Sequence, residues 1–204
     1  MTSARVRLVL ASASPARRAT LRAAGVCPEV VVSDVDETGY TAEDPEALAL
    51  RLAVAKATAV AQLSVAAGAV VVGCDSVLDL DGVALGKPVD AEEAVRRWTS
   101  MRGRSGTLVT GHCVVDTRSG KQVEAVARTQ VTFADVTDAE IEAYVATGEP
   151  LAVAGAFTID GLGGAFVTGI AGDHHNVVGL SLPLLRRMLL DLDIPWTDLW
   201  SPTS

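Results

Sequence analysis

Apolar residues fall into short blocks along this chain, and the polar residues between the blocks carry the signals that start and stop regular structure. The run LVLA at residues 8–11 reads as a buried strand. It meets the turn SASP, after which Ser14 suits the N-cap, Pro15 the first position and Gly25 the C-terminal cap of a helix. A second strand is expected over residues 29–33, ahead of the acidic stretch Asp34-Val35-Asp36-Glu37. Asp44-Pro45-Glu46 then opens a long Ala-rich helix, predicted to reach about residue 67 and carrying Arg51 and Lys56.

The β-branched run over residues 69–74 is the strongest strand signal, and it ends in Asp75-Ser76. Residues 77–85 alternate around the turn Asp81-Gly82 and lead to Gly86-Lys87-Pro88. Asp90 and Glu93 make a capping box for a helix to residue 101. Residues 107–116 and 122–133 predict a long hairpin about Arg118-Ser119-Gly120, and Thr137 or Asp138 caps a helix over 139–147 that Gly148-Glu149-Pro150 ends. The glycine-rich segment 154–172 is expected to surround two short strands, and 182–192 to form a terminal helix. Strands alternating with helices, with an antiparallel hairpin inserted, predict an α/β fold: a mixed, twisted central sheet flanked by helices, in two lobes with a cleft between them. No repeat or free linker divides the chain, so residues 1–204 are read as one domain.

Composition narrows this picture. The 204 residues are 49% hydrophobic, ample for a buried core, and the net charge of -8 argues against a broad basic surface for nucleic acid. Three scattered cysteines, Cys27, Cys74 and Cys113, form neither a disulfide framework nor a zinc site. With no secretory signal and no membrane-length apolar run, the expectation is a cytoplasmic protein without a membrane partner.

Against that acidic background, Arg17 and Arg18 fall in the first turn of a helix, where the helix dipole disfavours positive charge. The conflict fits an anion at the helix start, a phosphate shared by backbone N–H groups, the Ser12 and Ser14 hydroxyls and a guanidinium. A capped helix with solvated arginines accounts for the same residues, and the P-loop pattern is absent. Asp75 is expected at the carboxyl end of a buried strand, where α/β sheets place ligands. Asp36 and Glu37, with Asp75, are candidate oxygen ligands for Mg²⁺ or Mn²⁺, a solvated acidic turn being the plain alternative. Lys87 is held in a Gly-Lys-Pro turn, and Lys56 stands in a nearly uncharged helical stretch that reaches the same region. The histidines offer no metal triad: His112 sits in a strand, and His174 and His175 are expected to point apart on an extended loop. Ser181 lacks the GxSxG elbow of a serine hydrolase.

Taken in order, SASPARRATL, VDE at 35–37, RLAVAKA at 51–57, GCDSV at 73–77, LGKP at 85–88, TGH at 110–112, YVATGEP at 144–150, AGAFTIDGLGGAFV at 154–167 and NVVGLSLPLL at 176–185 resemble the Maf family of nucleoside triphosphate pyrophosphatases, first associated with septum formation. The resemblance is collinear from about residue 8 to residue 192. It implies a Maf/ITPase-like fold with a deep cleft, a homodimer, and cleavage of an NTP between the α and β phosphates to NMP and pyrophosphate with a divalent metal cation. Carried residue by residue, it implies that Ser12, Ser14 and Arg17 bind phosphate. It further implies that Asp75 accepts the proton, that Asp36 and Glu37 help Asp75 hold the metal, and that Lys56 and Lys87 neutralise the triphosphate.

This chain departs from the family pattern at several points. Ala16 stands where relatives carry the first of two arginines, Ser76 replaces a usual Thr, Gly106 replaces a common His, and Asp160 replaces the Gln of pyrimidine-selective members. Ala16, Ser76 and Asp160 match positions tied to base selection. A carboxylate at 160 would accept from a donor edge such as that of guanine, so broader or purine-leaning selectivity is expected. The competing expectation, from a different class, is a nucleotide-binding regulator of septation or cell division that has lost turnover.

Overall fold

The computed structural model describes residues 6–40 and 44–201. The reading of residues 1–5 as free of a secretory signal therefore lies outside the described residues. Strand β1 (Leu8–Leu10) turns through Ser12 into helix α1 (Pro15–Ala23), whose N-cap Ser14 accepts a hydrogen bond from the Arg17 backbone N–H. β2 (Glu29–Val30) is shorter than expected; it forms a brief, exposed sheet edge, and of the two valines after it Val31 packs on the core while Val32 is exposed. α2 (Pro45–Ala61) starts at its N-cap Asp44 and stops short of residue 67, giving way to a 3-10 turn over Ser64–Ala66. β3 (Val70–Leu80) is one continuous strand, correcting the expectation of a strand ending at Asp75 with a separate hairpin arm after it.

β4 (Val83–Leu85), α3 (Ala91–Met101), β5 (Ser105–Asp116), β6 (Lys121–Phe133) and α4 (Asp138–Ala146) follow close to their predicted bounds. Asp90 caps α3, and Thr137 with Glu140 closes a full capping box on α4. The glycine-rich segment holds one strand, β7 (Val167–Ala171), where two were expected; 3-10 turns take up the rest, since its glycines leave few residues able to pair. His174 and His175 are not extended: Asp173 caps a short helix α5 (His174–Val178) on which they form the first turn. α6 (Leu182–Asp191) follows, N-capped by Ser181.

The sheet runs β2-β1-β3-β5-β6-β7, with β4 also on β3. It is mixed, as expected: β1 is parallel to β2 and β3, and the other pairings are antiparallel. β5 pairs with β3 from Val70 to Asp79. β1 and β4 must therefore share the opposite edge of β3, β1 at Val70–Val72 and β4 at Leu78–Leu80. Between them, no strand among the described residues pairs with residues 73–77 on that edge, and the sheet splits there.

The split separates two cores. On the β1 side, Leu10, Val72, Leu185, Met188 and Leu189 pack α6 against one face, while Val9, Val71, Ala53, Ala57 and Val60 pack α2 against the other. Beyond it, Trp98 sits at the centre of a second core, with Phe133, Tyr144 and Phe166 edge-on to its ring at 5.5–5.7 Å. Each such edge-on pair adds about 0.5–1.5 kcal/mol beyond buried area. The long strands β3, β5 and β6 join the two cores.

Candidate active site

Strand alternation sorts the residues at the split. Gly73, Asp75 and Val77 face α2, whereas Cys74 and Ser76 face the side of α1 and α6. Asp75 is thus not at a strand end, as the sequence suggested; it is mid-strand, where the edge partner is missing. β1 and β4 pair with β3 on either side of it.

α2 lies unusually close to this stretch. A Cβ on Gly73 would stand 2.4 Å from the Ala53 carbonyl oxygen, and one on Gly111 only 2.3 Å from that of Ala49. Ala49, Ala53 and Ala57, one helical turn apart, complete a seam without side-chain bulk. The close packing delivers Lys56 onto Asp75: Nζ donates to Asp75 Oδ1 at 2.5 Å and lies 2.7 Å from Glu37 Oε1. Lys56 and Asp75 side chains are only 11% and 12% exposed, whereas Glu37 is 53% exposed and approaches from the loop after β2. Burial pushes the Asp75 carboxyl above the usual carboxylate range; Lys56 and Arg17 pull it back down and Glu37 adds to the rise. Removing the ammonium in Lys56→Met removes the largest of the lowering charges, so the acidic limb of the kcat/KM pH profile is expected to move to higher pH. An unmoved limb would contradict Asp75 as the titrating base.

Arg17 closes the other face. Its Nε donates to the Gly179 carbonyl (2.7 Å), Nη1 to the Cys74 carbonyl (2.8 Å) and Ser12 Oγ (3.3 Å), and Nη2 to Ser76 Oγ (3.0 Å). Among the described residues, four of the five N–H groups of the guanidinium are committed and one is left over. The sequence predicts a phosphate clamp at this residue; the geometry makes it first a staple that binds α1 to β3 and to the turn before α6. Ser12 Oγ and Ser14 Oγ accept from the backbone N–H groups of Ser14 and Arg17, which leaves their hydroxyl protons available to donate. Ser76 Oγ also meets Thr110 Oγ1 at 2.9 Å. Arg18 is exposed, beside a separate hollow of about 330 Å³ that holds neither Arg17 nor Asp75.

The remaining candidates divide. Asp36 is exposed and accepts from the N–H and hydroxyl of Thr38, so it closes its own turn and does not join Asp75. Among the described residues no three His, Cys, Asp or Glu side chains stand close enough to hold a metal ion. The expected trio of carboxylates is a pair, Asp75 and Glu37, bridged by the Lys56 ammonium. Two hard carboxylates still suit Mg²⁺ or Mn²⁺, which commonly take one or two carboxylates and fill the remaining positions with phosphate oxygens and water. Lys87 is exposed after β4 with no ion pair among the described residues, and Asp160 is exposed with no hydrogen-bond partner among them.

Sequence reasoning passed over two residues that shape this region. His112 is fully buried; its Nε2 accepts from the Ser181 N–H at 2.9 Å and its Nδ1 bonds the Thr110 carbonyl, which fixes the neutral Nδ1–H tautomer. Burial pushes its pKa down to about 4. The strand pattern was readable, but its partner, 69 positions away, was not. Glu149, read only as part of a helix stop, gathers four donors from Tyr144 and the glycine-rich segment.

A family model for Maf-like proteins matches residues 7–192. The chain belongs to the Maf family. A Streptomyces coelicolor protein named nucleoside triphosphate pyrophosphatase is 64% identical to it, over 98% of this chain and 97% of its own. Relatives of the same name from Streptomyces avermitilis (60% identity, 97% and 96% coverage) and Cutibacterium acnes (54%, 95% and 94%) match over nearly full length as well. The split in the sheet and its buried Lys56–Asp75 pair are thus features of a Maf-like chain. Among the described residues no helix is long and apolar enough to cross a membrane.

Proposed function

We propose that this Maf-like protein is a nucleoside triphosphate pyrophosphatase, hydrolysing canonical or modified (d)NTPs to (d)NMP and pyrophosphate. The observation that carries the reading is Asp75, a buried carboxylate with a raised pKa held against an ammonium at the one break in the β3 edge. The names of its relatives support the same reaction.

In this reading Asp75 takes the proton from the water that attacks the α-phosphorus. A buried base whose pKa is raised above the usual carboxylate range suits that task. Lys56 holds Asp75 in place and, with Lys87, offsets charge on the triphosphate and departing pyrophosphate. The spare Ser12 and Ser14 protons and the last Arg17 N–H bind phosphate oxygens. Asp75 and Glu37 would hold a divalent cation together with the substrate phosphates, and that cation, when bound, would neutralise phosphate charge. We further propose a single two-lobed domain acting as a cytoplasmic homodimer; the three unpaired cysteines, two of them buried, support a reducing compartment.

Asp160 is assigned to the base. Asp160→Gln is expected to shift the substrate ranking towards UTP and dTTP, because an amide both donates and accepts where a carboxylate only accepts. An unchanged ranking removes Asp160 from recognition. The reading as a whole is tested by incubating the protein with a panel of NTPs and Mg²⁺ or Mn²⁺: pyrophosphate is the expected product. Orthophosphate in its place overturns the cleavage site, and binding without product favours a regulator of septation.

A further inference from the structure

The loop that carries Asp160 is fastened at both ends. At its start, Gly155 N–H donates to the Gly86 carbonyl, next to Lys87, and the Ala156 carbonyl accepts from Trp98 Nε1 at 2.7 Å. Ala156 holds φ 57°, a left-handed conformation uncommon for a residue with a Cβ, and is fully buried there. At its far end the loop wraps a single carboxylate. Glu149 accepts from the hydroxyls of Tyr144 (2.9 Å) and Thr158 (2.5 Å) and from the backbone N–H groups of Leu162 and Gly163 (both 3.0 Å).

These donors straddle residues 159–161, so Glu149 sets how that stretch is displayed. Two glycines make room beside it: a Cβ on Gly161 would stand 2.6 Å from Glu149 Oε2, and one on Gly163 would stand 2.4 Å from the Tyr144 hydroxyl. Burial acts to raise the Glu149 carboxyl, but the donors outweigh it and hold the pKa down at about 2. The two carboxylates of the segment therefore have opposite fates. Glu149 is saturated with donors inside the loop, and Asp160 is exposed with no hydrogen-bond partner among the described residues.

We propose that Glu149 is a positioning residue for substrate discrimination: its carboxylate fixes the 158–163 turn so that Asp160 and the adjacent backbone meet the base in one geometry. The proposal rests on the pyrophosphatase reading. It predicts that Glu149 matters for which nucleotide is used, through KM, far more than for the hydrolytic step at Asp75.

The test compares wild type, Glu149→Gln and Tyr144→Phe on the NTP panel, alongside amide hydrogen exchange. Gln keeps one of the two oxygens, and Phe deletes one donor while keeping the ring packed on Trp98. The expected result is that kcat/KM for the best over the worst nucleotide falls by about tenfold or more in Glu149→Gln, with the change in KM. Amides of residues 158–163 exchange faster, and those of residues 72–78 keep their protection. Should Glu149→Gln fail to fold, Tyr144→Phe is expected to show the same pattern at smaller amplitude. A folded Glu149→Gln with wild-type discrimination overturns the proposal, as does a loss confined to kcat. Absence of pyrophosphate release from wild type would instead defeat the pyrophosphatase reading, so the two failures are distinguishable.

Discussion

Asp75→Asn is expected to leave a folded protein whose pyrophosphate release is reduced by roughly 10²-fold or more, the scale of losing a general base. The amide matches the carboxylate in shape and still offers an oxygen to Lys56, which also keeps Glu37 at 2.7 Å, so no buried charge is stranded. The folded state also disfavours ionised Asp75: burial raises its pKa, which favours folding at low pH and is lost as pH rises through the folded value. Removing the charge at neutral pH is therefore not expected to lower Tm. Turnover within a few-fold of wild type, in a variant with an intact melt, would remove Asp75 from the chemistry.

The second large effect arises at a glycine that touches no substrate. Gly111→Ala puts a Cβ against the Ala49 carbonyl carbon and oxygen and the Leu50 Cα, all backbone atoms of α2 at 2.3–2.6 Å. No side chain can swing aside, so the helix itself must move, and Lys56 moves with it. Overpacking of this kind costs about 1–3 kcal/mol, a Tm loss of roughly 2–12 °C for a chain of this size. Displacing a catalytic group by about 1 Å costs on the order of 10²-fold in rate. Gly169→Ala is the control, since its Cβ meets nothing within 4 Å. If Gly111→Ala melts and turns over like the control, the close helix–sheet seam is not what sets the Lys56–Asp75 contact.

These two sites mark what the amino-acid sequence discloses and where it stops. Caps and periodicity place α1, α3 and α4 almost to the residue, because Ser14, Asp90 and Thr137 act within their own turns. The convergence of Lys56 on Asp75 was legible as a charge in a nearly uncharged stretch of helix and a carboxylate after a buried run. The split beside Asp75 was not, because it depends on β1 and β4 taking different stretches of one edge, and pairing partners leave no local trace. Gly73 and Gly111 gave no signal as a seam, since α2 is alanine-rich around much of its surface. Arg17 shows the same limit: its strongest tether, Gly179, lies 162 positions away. Asp36 failed for a local reason, as Thr38 two residues on satisfies it.

The most direct measurement is isotopic. Hydrolysis of an NTP in ¹⁸O-labelled water with Mg²⁺, followed by mass analysis of both products, reports which phosphorus the water attacks. Attack at the α-phosphorus predicts pyrophosphate free of label and one ¹⁸O in the nucleoside monophosphate. Label in the pyrophosphate, or release of orthophosphate and a nucleoside diphosphate, would contradict it.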